Sequence, residues 1–173
     1  GIDGIAPLGT TGETPCLNED EEEKIIKIAV EEADKHNKKT GKKVPVMIGA
    51  GSNNTIDAVR YCERAKKLGA DVALVVAPYY NKPSSEGIFR HYEQISKVGI
   101  PILVYNIAGR TGINIATSTL ERIANLPNIC GVKEASGDIN QMMQVISTIK
   151  SKNPDFSVLS GDDGLTLPLV SVG

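Results

Sequence analysis

The sequence has 173 residues, a length typical of a single domain. Its 19 basic and 21 acidic residues give a net charge of −2, which excludes the strongly positive field of a nucleic-acid-binding protein. Apolar residues make up 40% of the chain, which excludes a disordered polyanion. No apolar run approaches the roughly 18 residues that cross a membrane. We therefore expect one folded domain with no nucleic-acid partner and no membrane partner.

Six short apolar segments, rich in β-branched residues, recur along the chain. Each is bounded by turn-forming residues, which is typical of strands that are buried on both faces of a parallel sheet. The predicted strands are residues 2–8, 44–48, 72–77, 102–105, 129–132 and 156–159.

Helical patterns occupy the stretches between these strands. The longest begins after Asn18, whose side chain can cap a helix, and acidic residues fill its first turn, where they complement the helix dipole. Further helices are predicted from Thr55 to a stop at Gly69, from Ser84, and over residues 117–125, 139–150 and 164–170.

The alternation of strands and helices predicts an α/β fold with a parallel sheet and right-handed crossovers. An open doubly wound sheet and a (β/α)8 barrel both have this pattern. A barrel closes with eight strands, whereas about six βα units are predicted here. We therefore expect residues 1–173 to form part of a barrel domain, with segments missing at both ends.

Unusual polar residues follow the predicted strands, at the edge where α/β proteins build their sites. Lys133 ends an apolar strand. Burial at that position lowers the pKa of a lysine and frees its amine as a nucleophile. The structural alternative is a lysine that snorkels from a strand end to water.

Two further side chains at this edge have both a functional and a structural interpretation. The phenol of Tyr105 can act as an acid or base if the hydroxyl groups of Thr10, Thr11 or Tyr80 relay its proton, or it can be a core aromatic. Arg110 lies between glycines, and its guanidinium can bind a substrate carboxylate at two points or form a surface ion pair.

Two sequence patterns give weak signals for other ligands, a dinucleotide and a metal ion. Gly49 and Gly51 begin a dinucleotide-type pattern, but Asn54 stands where its third glycine belongs. Asp162 and Asp163 precede a predicted helix, so we expect them to cap it and to bind no metal.

Cysteine usage and the acidic run each have a simple structural interpretation. We expect Cys16, Cys62 and Cys130 to be buried, reduced thiols, which is typical of a cytoplasmic protein. The acidic residues from Glu19 to Glu23 are expected to form a solvated first helical turn.

Four motifs taken together resemble the dihydrodipicolinate synthase family, and their order and spacing match over essentially the whole chain. These are Gly9-Thr10-Thr11-Gly12-Glu13, Pro78-Tyr79-Tyr80-Asn81-Lys82-Pro83, Tyr105-Asn106 with Gly109-Arg110-Thr111-Gly112, and Val132-Lys133-Glu134-Ala135. The resemblance implies a (β/α)8 barrel that condenses pyruvate with L-aspartate 4-semialdehyde in lysine and diaminopimelate biosynthesis. It implies no metal and no diffusible cofactor.

The resemblance also assigns roles at the catalytic centre. Lys133 matches the lysine that forms the Schiff base. Tyr105 and Thr10 match two members of a proton relay. Tyr80 matches the third member, which in this family reaches into the site of a neighbouring subunit. The implied assembly is a homotetramer, a dimer of dimers.

Three further positions match residues that contact substrate in the family. Thr11 matches the threonine that holds the pyruvate carboxylate. Arg110 matches the arginine that binds the carboxylate of the semialdehyde. Gly161 matches a backbone position that lines the site.

The sequence also departs from the family pattern. Ala108 stands where proline is usual, and loss of the fixed φ angle is expected to loosen the Arg110 segment. Glu19 and Glu22 stand where lysine-inhibited members often have histidines. Asn53, Asp57 and Tyr79 match the allosteric pocket of such members. We therefore expect feedback inhibition by lysine to be weak.

Three alternative functions remain open at this point. Sister lyases that act on sialic acid or on 2-keto-3-deoxy sugar acids share the lysine and the tyrosine, but the threonine pair and Arg110 favour the synthase. A non-catalytic barrel that binds a keto acid is disfavoured by intact Lys133, Tyr105 and Thr10. A nucleotide-binding doubly wound protein is disfavoured by the incomplete glycine pattern.

Overall fold

The computed structural model describes residues 1–173 and contains one parallel sheet of five strands, which lie side by side in chain order. The strands are β1 (Met47–Gly49), β2 (Val72–Val76), β3 (Ile102–Asn106), β4 (Ile129–Glu134) and β5 (Ser157–Ser160). Because all five are parallel, their carboxyl ends meet at one edge, as the sequence predicted.

The prediction of a strand over residues 2–8 is wrong, since this segment makes only a single bridge, between Ile5 and Val46. It does run beside β1, where the N–H of Gly49 donates to the carbonyl of Pro7 at 3.0 Å. Pro7 has no N–H to return such a bond, and Leu8 has a φ of 59°, which ends the extended backbone.

Seven α-helices lie before, between and after the strands, and two of them lie between β3 and β4. They are α1 (Glu19–Thr40), α2 (Thr55–Lys67), α3 (Ser85–Ile95), α4 (Ala108–Thr111), α5 (Thr117–Ala124), α6 (Ile139–Val145) and α7 (Thr166–Ser171). The side chain of Asn18 caps α1 as predicted, and Glu21 completes a reciprocal capping box with Asn18. Ser84, which was predicted to start a helix, is the N-cap of α3.

Three helical segments differ from the sequence prediction. Helix α4 was not predicted, because four residues are too few to show a helical period. The predicted helix over residues 139–150 changes to a π-helical turn at Ile146–Lys150. The predicted helix over residues 164–170 divides into a 3-10 turn at Asp163–Leu165, capped by the Asp162 side chain, and α7.

The two faces of the sheet have different surroundings, and this difference positions the site. The larger apolar cluster contains buried residues of both strands and helices, including Val75 of β2 and Leu120 of α5. A smaller cluster contains only Leu74, Leu103 and Tyr105 as its buried members. Because side chains alternate along a strand, Tyr105 points to the face opposite the helices.

Other expectations are corrected at single residues. All three cysteines are free, but Cys16 is exposed and Cys130 is half-buried, so only Cys62 is a buried thiol. In the acidic turn, Glu22 is half-buried and forms an ion pair with Arg64, so this turn is not wholly solvated. No helix is long and apolar enough to cross a membrane.

Close backbone packing accounts for Gly49 and Gly51. A Cβ atom on Gly49 would lie within 1.8 Å of the Leu8 carbonyl oxygen, and one on Gly51 would lie 2.6 Å from the Val76 nitrogen. Any side chain at these positions would collide with a neighbouring segment. The glycine pair is therefore a packing requirement of the sheet.

Candidate active site

Lys133 and Tyr105 lie side by side at the carboxyl edge of the sheet. They are register partners on β4 and β3, and the Lys133 Nζ atom lies 4.4 Å from the centre of the Tyr105 ring. Tyr105 is buried and Lys133 is half-buried, and no carboxylate pairs with the amine. The structure thus brings an unpaired amine and a phenol together, as the sequence predicted.

Burial shifts the proton affinities of both groups. Loss of hydration lowers the pKa of the Lys133 amine, because the charged form is the one that water stabilises. Burial also raises the pKa of the Tyr105 phenol, and this outweighs the opposite influence of the Arg110 charge. Both shifts favour the neutral forms, which are a nucleophilic amine and a phenol able to donate a proton.

Gly161 provides the space into which the Lys133 side chain extends. A Cβ atom at Gly161 would lie 3.0 Å from Lys133 Cε and 2.9 Å from Ala135 Cβ. The Gly161 N–H donates to the Glu134 carbonyl at 2.8 Å, which continues the sheet beyond β5. Gly161 therefore lies directly against the lysine side chain.

Arg110 is exposed within the short helix α4, between β3 and α5. It forms no ion pair with any carboxylate, so the surface ion pair considered from the sequence is not present. Thr111 next to it is buried, and its hydroxyl bonds to the carbonyls of Ile107 and Ile113 at 3.0 and 2.8 Å. These hydrogen bonds tie the segment to the protein, while the guanidinium of Arg110 has no ion-pair partner.

Thr10 and Thr11 lie in a 3-10 turn that follows the Ile5 bridge. Both are exposed, and neither hydroxyl bonds to another protein group. The Thr14 hydroxyl donates to the Gly9 carbonyl at 3.0 Å and closes the turn. The two threonines are therefore available to a ligand at this edge.

The loop that carries Tyr79 and Tyr80 is held by two amide contacts. The Asn53 side chain donates to the Tyr79 carbonyl at 3.2 Å, and the Asn81 side chain donates to the Asn53 carbonyl at 3.0 Å. Tyr80 has a φ of 71° and is 89% exposed. Its ring projects away from the chain, and no hydrogen bond links its hydroxyl to Tyr105 or Thr10.

A cavity of about 530 Å³ connects several of the predicted residues. Thr10, Tyr79, Tyr105 and Arg110 all line it. Lys133 does not line this cavity. Tyr80, Thr11, Gly161, Asn53 and Asp57 are also outside its lining.

Residues of α1 and α2 also contribute to the cavity wall. Glu22 and Arg64 both line it and form an ion pair with each other. Glu19 pairs with Arg60 at 2.9 Å, and Asp57 lies 3.6 Å from the same guanidinium. The carboxylates of Glu19 and Glu22 are thus already paired with arginines.

Sequence reasoning missed a group of buried polar residues behind the site. Asn106 and Glu134 follow Tyr105 and Lys133 directly, and both are completely buried. Gln141, at the start of α6, bonds to the same carboxylate. Strand alternation was the available signal, since a residue next to an inward-facing one must face the helices.

Comparisons with known proteins identify the family of this chain. The sequence model of the dihydrodipicolinate synthetase family matches residues 1–173. A 4-hydroxy-tetrahydrodipicolinate synthase of Protochlamydia amoebophila is 51% identical over 99% of the chain, which covers 55% of that protein. The chain spans about half the length of the curated relatives that it matches.

Solved structures show the same relationship. The dihydrodipicolinate synthase of Thermotoga maritima is 43% identical with a TM-score of 0.93, and the match covers all of this chain and 57% of that one. A chloride-inhibited dihydrodipicolinate synthase of Acinetobacter baumannii, complexed with pyruvate, is 38% identical with a TM-score of 0.90, covering 100% and 56%. The five-stranded sheet with its helices corresponds to part of a (β/α)8 barrel. The chain therefore belongs to the dihydrodipicolinate synthetase family.

Proposed function

We propose that this chain forms part of a Schiff-base enzyme that condenses pyruvate with L-aspartate 4-semialdehyde to give 4-hydroxy-tetrahydrodipicolinate. The observation that carries the proposal is the unpaired, half-buried Lys133 amine beside the Tyr105 ring. The curated relatives are named for this product, and the Acinetobacter structure contains pyruvate.

The proposed chemistry begins with the neutral Lys133 amine. Its lone pair attacks the keto carbon of pyruvate, and water leaves to form an imine. The imine draws electrons from the adjacent methyl group, so a proton leaves and an enamine forms. The enamine carbon attacks the aldehyde carbon of the second substrate. The amine of that substrate then replaces Lys133, which closes the ring and frees the enzyme.

Each remaining site residue has a role in this sequence of steps. Tyr105 exchanges protons with the reacting atoms, and Thr10 and Tyr80 complete the relay. Thr11 holds the pyruvate carboxylate, and Gly161 leaves room for the lysine. The free guanidinium of Arg110 is suited to two-point binding of the semialdehyde carboxylate.

The proposal includes a cytoplasmic homotetramer that needs no metal or diffusible cofactor. Tyr80 supports the assembly, since its ring is 89% exposed and has no partner within this chain. In such an assembly Tyr80 would complete the relay of a neighbouring subunit. Sedimentation velocity of the full-length protein tests this, and Tyr80→Phe should lower activity if the hydroxyl enters a neighbouring site.

Borohydride reduction of the full-length protein with pyruvate, followed by mass measurement, tests the chemistry. A pyruvyl adduct on the wild type that is absent from Lys133→Ala supports the proposal. An adduct that persists in Lys133→Ala would refute the assignment of the lysine. Turnover with the semialdehyde, compared with sialic acid and 2-keto-3-deoxy sugar acids, then identifies the second substrate.

A further inference from the structure

Behind Tyr105 and Lys133 lies a second register pair, Asn106 and Glu134, on the opposite face of the sheet. Both side chains are completely inaccessible to solvent, and no lysine, arginine or histidine pairs with the carboxylate. A buried carboxylate without a cation is costly unless hydrogen bonds compensate it. The hydrogen-bond donors around the Glu134 carboxylate therefore indicate its structural role.

Three neutral groups donate to the Glu134 carboxylate. The N–H of Ser136 donates to Oε1 at 2.9 Å, and the Asn106 side chain donates to the same atom at 3.0 Å. The Gln141 side chain donates to Oε2 at 3.4 Å. The carboxylate thus joins the end of β3, the end of β4 and the start of α6.

The same two amide side chains also hold Ile115, which is buried at the end of the Arg110 segment. Asn106 Oδ1 accepts from the Ile115 N–H at 3.0 Å, and Gln141 Nε2 donates to the Ile115 carbonyl at 3.1 Å. The segment that carries Arg110 begins directly after Asn106 and returns to it at Ile115. Its two ends are therefore held by one network.

The orientation of both amides depends on the negative charge between them. The Glu134 oxygens can only accept, so they select the N–H end of Asn106 and of Gln141. This leaves Asn106 Oδ1 to accept from Ile115 and Gln141 Oε1 to accept from Asn114 at 2.7 Å. An amide at position 134 would place a donor against a donor and reverse one of the two neighbours.

We propose that Glu134 is a positioning residue, whose buried carboxylate orients Asn106 and Gln141 to fix Ile115 and so places the Arg110 segment relative to Lys133 and Tyr105. The inference rests on the proposed function for its effect on catalysis. Its structural part, the anchoring of residues 107–115, does not depend on that function.

Glu134→Gln in the full-length protein tests this, since it changes one oxygen to NH2 at constant shape. Hydrogen exchange of the peptide that contains residues 107–115 should accelerate. The kcat/KM for the semialdehyde should fall by roughly 10- to 100-fold, which is the scale of a displacement of about 1 Å. Capture of pyruvate by Lys133 should change less, because the lysine stays in the sheet.

Two further variants separate positioning from simple loss of stability. Gln141→Met removes the amide but keeps the length of the side chain. It should show the same faster exchange and the same loss of kcat/KM, so the test can still be made if Glu134→Gln does not fold. Met142→Ala is the matched control, because Met142 is fully buried beside Gln141 and takes no part in the network. It should lower the Tm while exchange at residues 107–115 and kcat/KM for the semialdehyde stay unchanged.

The outcomes distinguish the two proposals. Wild-type exchange and a wild-type kcat/KM for the semialdehyde in both Glu134→Gln and Gln141→Met would overturn the positioning role. A wild type that captures no pyruvate would overturn the proposed function alone, since the exchange pattern still decides whether Glu134 anchors the segment.

Discussion

Lys133 and Tyr105 are held together by the backbone ladder of the sheet, with the amine nitrogen 4.4 Å from the ring centre. Their separation is set by the pairing of β3 with β4, and both side chains point to the face opposite the helices. No carboxylate of the chain pairs with the Lys133 amine and draws it away from the ring. The relationship between nucleophile and phenol is thus a property of strand register.

The pH dependence of adduct formation should reveal the lowered pKa of Lys133. The amine attacks only when neutral, so the single-turnover rate with pyruvate should rise with pH through the pKa of Lys133 and then level off. Burial shifts this midpoint below the ordinary lysine value of 10.5. Samples reacted at each pH and quenched with borohydride at one fixed pH give the profile. A midpoint at or above 10.5 would contradict the role of burial.

Arg110→Ala should impair use of the semialdehyde far more than capture of pyruvate. The guanidinium is exposed, unpaired and on the cavity wall, so its loss removes a charged contact but no packing. Loss of such a contact costs about 2 kcal/mol, or roughly 30-fold in kcat/KM. Steady-state kinetics with both substrates varied measure this. Arg110→Lys keeps the charge without the two-point geometry, so its kcat/KM for the semialdehyde should lie between those of the wild type and Arg110→Ala. Equal losses for pyruvate and for the semialdehyde would count against the assignment.

Gly161→Ala should slow the formation of the pyruvate adduct. The added methyl group would lie 3.0 Å from Lys133 Cε and 2.9 Å from Ala135 Cβ, so the lysine must move aside. We expect a loss of roughly tenfold or more in the rate of capture. The Tm should also fall, because the Cβ of Ala135 cannot move away as the flexible lysine side chain can. Gly4→Ala is the matched control, because its nearest contact would be an ordinary 3.4 Å. Identical capture rates in the two variants would show that the lysine does not need this space.

His91 should make the protein less stable in mild acid. Burial lowers its pKa from 6.5 to about 4, so between these values the unfolded chain binds a proton that the folded chain does not. Stability therefore falls as pH drops from 6.5 towards 4, by up to about 3 kcal/mol. Urea unfolding at several pH values should show that the free energy of unfolding falls less steeply with pH in His91→Gln than in the wild type. His36→Gln, which changes an exposed histidine, should keep the wild-type slope.

Feedback inhibition by lysine should be weak. A lysine ammonium that approaches Glu19 or Glu22 must displace Arg60 or Arg64, which already pair with these carboxylates. The coupled assay with both substrates should therefore show little effect of submillimolar L-lysine. Strong inhibition in that range would show that the ion pairs with Arg60 and Arg64 do not prevent lysine from binding.

Much of the fold was predictable because strands and helices follow local periodicity. Five of six predicted strands, the cap at Asn18 and the start of a helix at Ser84 are confirmed. The segment over residues 2–8 has the same apolar composition, and Pro7 within it was the available signal against a regular strand, because proline has no N–H to donate. The positive φ of Leu8 is backbone geometry that the residue pattern does not encode.

By itself, the sequence determined which chemical groups arrive at the carboxyl edge, because parallel strands all end there and each motif follows a strand. Only the tertiary structure decided which of these groups meet. Register placed Lys133 against Tyr105, the missing side chain at Gly161 left space for the lysine, and packing buried Glu134 among three donors. These relationships join residues far apart in the chain. Their separation depends on how strands and helices pack, which no local pattern records.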